Sequence, residues 1–188
     1  MTSRLARMLV AVVAVAVVVA TGYLVVPRLG AQRTTPLVVV DTSQGTFAFD
    51  TYAKDASYAV EHIVGLVKDG FYDGQRVHRA VPGFLVQFGD PQTRDLEKKA
   101  LWGRGPNASS GHPVPFVEMP LKHHNVKFAV GLAHMGEPAK ADSQLYILLE
   151  DKPELDGQYA VIGQVVEGQD VLTKLQVGDQ INRVYIRE

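Results

Sequence analysis

The stretch FYDGQRVHRAVPGFLVQFGDP, residues 71–91, decides the fold of this 188-residue chain. It predicts two short strands, near 76–81 and 84–88, joined by a turn at Pro82-Gly83, because proline and glycine favour a tight turn between apolar runs. The stretch offers no nucleophile, no paired acid and base, and no cluster of metal ligands. If it forms an active site, that site works through shape and hydrogen bonding.

The register of this hairpin follows from the alternation of its side chains. Pairing Arg79 with Gln87 makes Arg79, Leu85 and Gln87 project from one face, because side chains alternate between the faces of a strand. We expect Val86 and Phe88 to point the other way, into a core. A slip of one residue would reverse both sets.

The first 27 residues differ in character from the rest of the chain. Residues 8–26 carry no charge, and at about 1.5 Å per residue such a helix would span roughly 28 Å, close to a bilayer core of ~30 Å. We predict a transmembrane signal anchor over 1–27, with Arg4 and Arg7 favouring a cytoplasmic amino terminus and an extracytoplasmic domain. The alternative is a signal cleaved near 20–22, which would leave the domain secreted or periplasmic.

The remainder predicts a short linker over 28–35 and one domain over 36–188. A formal net charge of −1 gives no reason to expect a nucleic-acid partner. The chain has no cysteine, which excludes disulfides, thiolate catalysis and cysteine-ligated zinc. No glycine loop for phosphate and no Gly-x-Ser-x-Gly elbow is present, so neither a phosphate-binding function nor a hydrolase has support.

The pattern of the domain is mainly β. An amphipathic helix is predicted over 57–69, capped by Asp55 or Ser57 and ended by Gly70. The polar and glycine-rich segment 91–115 predicts a long surface loop. The other predicted elements are strands at 37–41, 46–49, 128–133, 143–149, 159–166 and 181–186, and a short helix around 171–175. Many short strands with only two helices indicate a closed antiparallel barrel or a sandwich.

Several motifs, taken in order, resemble the cyclophilin signature. They are the hairpin stretch 71–91, Asp142-Ser-Gln-Leu-Tyr-Ile147, Leu155-Asp-Gly-Gln-Tyr-Ala-Val-Ile-Gly163 and Val165-Val-Glu-Gly168. The matches cover nearly all of residues 36–188. The resemblance implies a closed eight-stranded antiparallel barrel with two capping helices. It also implies a peptidyl-prolyl cis–trans isomerase that needs no cofactor, in a bacterial membrane-anchored or exported form.

The resemblance also implies roles for individual residues. Arg79 would be the catalytic residue and would donate a hydrogen bond to the prolyl nitrogen. The remaining implied site residues bind the substrate: Phe84, Leu85, Tyr146, Leu155 and Tyr159 around the proline, Gln87 and Gln144 along the groove, and Ala133 and His134 through their backbone. The implied partners are proline-containing polypeptides of the cell envelope, bound by a monomer that the N-terminal helix attaches to the membrane.

Five positions depart from the usual family pattern. Tyr146 stands where phenylalanine is usual, so its hydroxyl needs water or a partner. Tyr159 replaces histidine, His134 replaces asparagine, and Phe88 replaces a glycine beside the groove. Glu154 occupies the place of a tryptophan that helps to bind cyclosporin, so we expect weak cyclosporin binding.

Two further expectations concern histidines. His78 is expected to have a structural hydrogen-bonding role. His123 and His124 are adjacent on a predicted extended segment and would point to opposite faces, so one shared metal ion is not expected.

The alternative to an isomerase is a catalytically weak cyclophilin-fold module that binds proline-containing segments.

Overall fold

The computed structural model describes residues 35–119 and 122–187. The predicted anchor over 1–27 and almost all of the predicted linker lie outside the described residues. Among the helices within the described ranges, none combines the length and the apolar character needed to cross a bilayer.

Eight antiparallel strands form one sheet, and they confirm the predicted strand number and mainly β class. The strands are β1 (Leu37–Thr42), β2 (Gly45–Thr51), β3 (Arg79–Val81), β4 (Leu85–Phe88), β5 (Ala129–Leu132), β6 (Leu145–Leu148), β7 (Val161–Glu167) and β8 (Ile181–Arg187). Their order across the sheet is β3-β4-β6-β5-β7-β2-β1-β8.

The two end strands of the sheet, β3 and β8, approach each other through the residues that precede them. An isolated antiparallel bridge joins Arg76 to Gln180, and the backbone N–H of Val77 donates to the carbonyl of Asp179 at 2.9 Å. These contacts are consistent with a curled sheet. A continuous ladder between β3 and β8, which a closed barrel requires, stays a prediction.

The main helix, α1 (Ser57–Lys68), confirms the predicted helix, but the prediction of its cap was wrong. Neither Asp55 nor Ser57 caps it. Instead, the carboxylate of Glu118 accepts from the N–H groups of Tyr58 and Ala59 at 2.7 and 3.3 Å. The carboxylate of Asp55 instead contacts the side chains of Lys122 and His123.

Helix α1 ends where the sequence indicates, but the second helix begins and ends earlier than the predicted 171–175. Gly70 ends α1 with a φ of 67°, a left-handed conformation that glycine adopts without strain. The second helix, α2 (Gln169–Leu172), is a single turn that buries Val171 and Leu172. The buried face of α1, which includes Val60 and Ile63, packs into the main core.

Segment 91–115 is more ordered than a surface loop. It contains two 3-10 helices, Pro91–Arg94 and Leu96–Leu101, and the side chains of Asp90 and Asp95 accept hydrogen bonds from their first turns. Trp102, Ala108 and Val114 are buried. The prediction of a loop was therefore wrong for its first half, because short caps and a few apolar residues anchor it to the domain.

The sheet has one face on the main core and a smaller apolar cluster on the other. Val86 and Phe88 lie in the main core, as predicted. The smaller cluster contains Leu85 and Tyr146. Burial of apolar area contributes roughly 25 cal/mol per Å², so the larger main core supplies most of the burial that stabilises the sheet. The opposite face of the sheet carries the site.

Candidate active site

The hairpin of β3 and β4 has the predicted register. Arg79 lies opposite Gln87, and Val81 lies opposite Leu85. On the other side of β4, Gln87 lies opposite Tyr146 of β6. Partners directly opposite in a ladder point to the same face, so the ladder brings Arg79, Gln87 and Tyr146 together.

A groove of about 540 Å³ lies on this face of the sheet. All ten residues predicted from the sequence line it: Arg79, Phe84, Leu85, Gln87, Ala133, His134, Gln144, Tyr146, Leu155 and Tyr159. They come from β3, β4, β6 and the segments that follow β3, β5 and β6, so the fold collects them from about eighty positions of sequence.

The apolar end of the groove is built from aromatic rings and leucines. Tyr146 is only 3% exposed, and Tyr159 meets its ring edge-on at 5.8 Å between centroids. The ring of Tyr146 lies over Gly131 of β5, where an added Cβ would overlap it. Leu85 and Leu155 complete the cluster. The result is an apolar pocket with a fixed aromatic floor.

The buried hydroxyl of Tyr146 has a hydrogen-bond partner. It donates to Oδ1 of Asn125 at 2.6 Å. Burial, followed by the charges of Tyr159 and Asp156, raises the pKa of the Tyr146 phenol far above its usual value. The phenol is therefore a neutral donor at any physiological pH.

The polar side of the groove is a chain of two amides. Nε2 of Gln144 donates to the carbonyl of Ala108 at 2.6 Å, and Nε2 of Gln87 donates to Oε1 of Gln144 at 2.8 Å. Since a carbonyl only accepts, the first bond sets the orientation of both amides. No donor within the described ranges reaches Oε1 of Gln87, which leaves it as an acceptor facing the groove.

Arg79 stands at the open edge of the pocket. Its side chain is exposed, and its guanidinium carbon lies 5.4 Å from the centre of the Phe84 ring. In the part of the chain that the structure describes, no carboxylate pairs with it. The cation therefore remains available for a ligand beside an apolar surface.

The wall formed by His134 and Tyr159 is a stack. Their ring centroids are 4.4 Å apart, with an interplanar angle of 21°. Nε2 of His134 lies 2.9 Å from the carbonyl of Gln158. That carbonyl accepts, so Nε2 is the protonated nitrogen. His134 and Tyr159 thus form a flat aromatic wall in this chain.

Sequence reasoning missed the second wall of the groove. Its residues include His78, Trp102, Gly103, Arg104, Ser109, Met135, Lys140 and Asp142. Four of these eight, namely Trp102, Gly103, Arg104 and Ser109, lie in segment 91–115, which was predicted as a surface loop. Asp142 anchors that segment, since its carboxylate accepts from the Ser110 hydroxyl and from the N–H groups of Gly111 and His112. The unusual length of segment 91–115 was the available signal.

The expected hydrogen-bonding role of His78 is wrong. Both ring nitrogens are buried, and within the described ranges neither has a hydrogen-bond partner of good geometry. Burial lowers the pKa of His78 to about 4; the charge of Asp90 and the nearby Gln144 side chain oppose this effect, and the charge of Arg79 adds to it. The imidazole next to Arg79 is therefore neutral and adds no second positive charge to the site.

Phe88 lies away from the groove. It is 1% exposed and packs edge-on against Tyr72 at 5.8 Å. Its replacement of a glycine therefore changes the core side of β4.

His123 and His124 contact different carboxylates, those of Asp55 and Asp156. Over residues 35–119 and 122–187, no group of three potential ligands could hold a metal ion.

Comparisons with known proteins agree with this geometry. Residues 37–187 match the family model of the cyclophilin type peptidyl-prolyl cis-trans isomerases. A probable peptidyl-prolyl cis-trans isomerase of Brucella abortus is 34% identical over 146 residues, which is 76% of this chain and 72% of that protein. A peptidyl-prolyl cis-trans isomerase of Helicobacter pylori is 33% identical over 154 residues, covering 80% and 86%.

The fold is shared with a solved structure as well. A cyclophilin type peptidyl-prolyl cis-trans isomerase of Cryptosporidium parvum superposes with a TM-score of 0.67 at 19% identity, covering 82% of this chain and 98% of that one. At this identity the match concerns the fold alone. The family model and the two bacterial relatives show the family and the enzyme type as well. The chain belongs to the cyclophilin family and is a peptidyl-prolyl cis–trans isomerase of that type.

Proposed function

We propose that this isomerase accelerates rotation about X–Pro bonds in exported or cell-envelope proteins, with Arg79 as the catalytic residue. The observation that carries the proposal is the exposed guanidinium of Arg79 beside the Phe84 ring, at the edge of the apolar end of the groove. The anchor predicted over residues 1–27 is the reason for placing the substrates outside the cytoplasm.

The reaction sets a simple physical requirement. Resonance between the carbonyl and the prolyl nitrogen creates a barrier of ~18–20 kcal/mol, and uncatalysed exchange takes tens to hundreds of seconds. The twisted state has a pyramidal nitrogen with a free lone pair, which can accept a hydrogen bond. A donor placed on that nitrogen stabilises the twisted state over either planar isomer, and this difference in binding is catalysis.

Arg79 meets this requirement because its guanidinium is always charged and offers rigid, planar donors. The Phe84 ring limits the positions that the cation can take. Because His78 is neutral, it adds no positive charge beside Arg79. The other cation on the Phe84 ring is Lys152, whose Nζ lies 5.5 Å from the ring centre. A donor that is already oriented before the substrate binds costs little reorganisation in the transition state.

The other groove residues would hold the peptide while one side turns. Phe84, Leu85, Tyr146, Leu155 and Tyr159 grip the proline ring. The free Oε1 of Gln87 accepts from a backbone N–H of the substrate, and Gln144 keeps that amide in place. Ala133 and His134 are placed to pair their backbone with an extended peptide.

The membrane location is part of the same proposal. We propose a monomer held by an uncleaved anchor, with the domain extracytoplasmic, in which the curled sheet closes into a full barrel. The mass of the mature amino terminus, measured on protein from membranes, tests the anchor. An intact amino terminus in the membrane fraction supports it, and a new amino terminus near residue 22 on a released protein overturns it in favour of a cleaved signal.

The catalytic part is tested by exchange spectroscopy on a short Ala-Pro peptide with wild type and Arg79→Ala. We expect the variant to lose about 10²-fold in rate, since the loss of one preorganised donor costs that much in comparable sites. Arg183→Ala, which removes an exposed arginine of β8, is the matched control and should keep full activity. Wild type and Arg79→Ala that bind peptide but are equally inactive would mean a binding module.

A further inference from the structure

The floor of the proline pocket is connected to one of its walls through a single buried residue, Asn125. Asn125 is 1% exposed and lies in the segment before β5, outside the groove lining. It carries the partner of the Tyr146 hydroxyl. Tyr146 stands where the family usually has phenylalanine, so this connection belongs to the present chain.

All four polar groups of Asn125 are engaged. Its Oδ1 accepts from Tyr146 at 2.6 Å, while its Nδ2 donates to Oδ1 of Asp156 at 2.9 Å. Its backbone N–H donates to the same carboxylate at 2.7 Å, and its carbonyl accepts from the N–H of Lys152 at 2.7 Å. A carboxylate only accepts, so the bond to Asp156 leaves Oδ1 of Asn125 pointing at the phenol.

Asp156 brings the pocket wall into the connection. It directly follows Leu155 at the end of the 3-10 helix Pro153–Leu155, and Leu155 lines the groove. Lys152, at the start of the same turn, is bound to the carbonyl of Asn125. Asn125 therefore grips both ends of the turn that presents Leu155.

The Tyr146 ring needs this restraint at its tip. The backbone at Gly131 packs against the hydroxyl end of the ring, beside Cζ, the hydroxyl oxygen and Cε1, and Tyr159 contacts the ring edge-on. Neither of these packing contacts is a hydrogen bond, and a buried phenol without a partner would lose the free energy of a hydrogen bond. The bond to Asn125 fixes the ring tip relative to Leu155.

We infer that Asn125 is a positioning residue for proline binding: through Tyr146 and Asp156 it fixes the spacing between the floor and one wall of the pocket. The inference rests on the proposed function, in which Tyr146 and Leu155 grip the proline. Because both residues would contact the ring in every state of the reaction, a loss of spacing weakens ground state and transition state alike. Such a loss raises KM and leaves kcat nearly unchanged.

A double-mutant cycle on the full chain tests the inference. The variants are Asn125→Ala, Tyr146→Phe and the double substitution, with Asn182→Ala on β8 as the control, since Asn182 is exposed. We expect Asn125→Ala to raise KM about fivefold, the equivalent of one hydrogen bond. In the Tyr146→Phe background the same substitution should cost much less, because the phenol is already gone.

A structural role without positioning gives a different pattern. Loss of folded protein lowers the apparent kcat at constant KM, and independent effects multiply in the double variant; either result overturns the inference. If Asn125→Ala does not fold, Asn125→Ser, which keeps a small polar group, takes its place in the cycle. Activity that survives Arg79→Ala would instead contradict the proposed function. Failure of the inference about Asn125 and failure of the proposed function are therefore distinguishable.

Discussion

The guanidinium carbon of Arg79 lies 5.4 Å from the centre of the Phe84 ring. Such a pair contributes ~0.5–1 kcal/mol at an exposed site and limits the positions of the cation. We expect Phe84→Leu to lower kcat/KM about tenfold, because it loosens Arg79 and removes a wall of the pocket. Steady-state kinetics should show a fall in kcat together with a rise in KM.

The control for this prediction is Phe116→Leu. Phe116 is 62% exposed and lies outside the groove, so its loss should leave both constants unchanged. If Phe84→Leu raises KM while kcat stays at the wild-type value, the ring grips the proline but does not orient Arg79.

The amide chain from Ala108 through Gln144 to Gln87 makes a second prediction. Gln144→Leu removes the acceptor that holds Nε2 of Gln87, so Gln87 samples more orientations. We expect KM to rise about threefold to fivefold, in line with one lost hydrogen bond, with kcat nearly constant. Gln176→Leu, at an exposed position, is the control. A fall in kcat without a change in KM would contradict a role in substrate binding.

The hairpin shows what the sequence could predict. The pairing of Arg79 with Gln87 follows from the position of the Pro82-Gly83 turn, and the alternation of apolar side chains agrees with it because a one-residue slip would expose the buried face. The ten residues that the family motifs named all line the groove, while their roles stay predictions. These successes share a cause: each depends on residues close in sequence or on an ordered set of motifs.

The contacts that the sequence did not predict are long-range ones. The cap of α1 is Glu118, about sixty positions beyond the helix start, and the partner of Tyr146 is Asn125, twenty-one positions earlier. A carboxylate or an amide on a loop carries no local pattern that reveals its partner. The wall around Trp102 and Gly103 was missed for the same reason, since its packing depends on the tertiary fold.

Glu118 supplies a third prediction. Its carboxylate accepts hydrogen bonds from the first free N–H groups of α1 and from the Ser57 hydroxyl. Its negative charge also lies at the positive, N-terminal end of the helix dipole, which is a stabilising arrangement. Glu118→Ala should lower the free energy of unfolding by about 1–2 kcal/mol. Chemical denaturation measures this. Glu137→Ala, which removes only an exposed pair with Lys140, should cost far less, and equal losses would argue against a capping role.

Glu154 makes a prediction for inhibitor binding. It is exposed at the turn that presents Leu155, at the place where the family resemblance implies a tryptophan that helps to bind cyclosporin. A carboxylate cannot donate the hydrogen bond of an indole and adds little apolar area. We expect weak inhibition of the isomerase by cyclosporin and a tighter interaction for Glu154→Trp, measured as inhibition of peptide exchange. Nanomolar inhibition of the wild type would refute this.

His78 predicts how stability depends on pH. Burial lowers its pKa to about 4 in the folded chain, whereas the unfolded chain has the ordinary histidine value of ~6.5. Between these two values the unfolded state binds a proton that the folded state excludes, so stability falls as the pH falls through this window. The full effect amounts to about 3 kcal/mol, reached near pH 4.

The difference between wild type and His78→Gln isolates this effect. The comparison cancels the contributions that the two proteins share, and the pKa of Asp142 is lowered, so the stability that its carboxylate contributes is lost mainly below the window. Denaturation at pH 7.0, 6.0, 5.0 and 4.5, values chosen to bracket the window of about 4 to ~6.5, should therefore show a smaller decline for His78→Gln. His112→Gln, at an exposed position, should follow the wild type. Parallel curves for wild type and His78→Gln would show that the imidazole takes up its proton in the folded state, which would place a second positive charge beside Arg79.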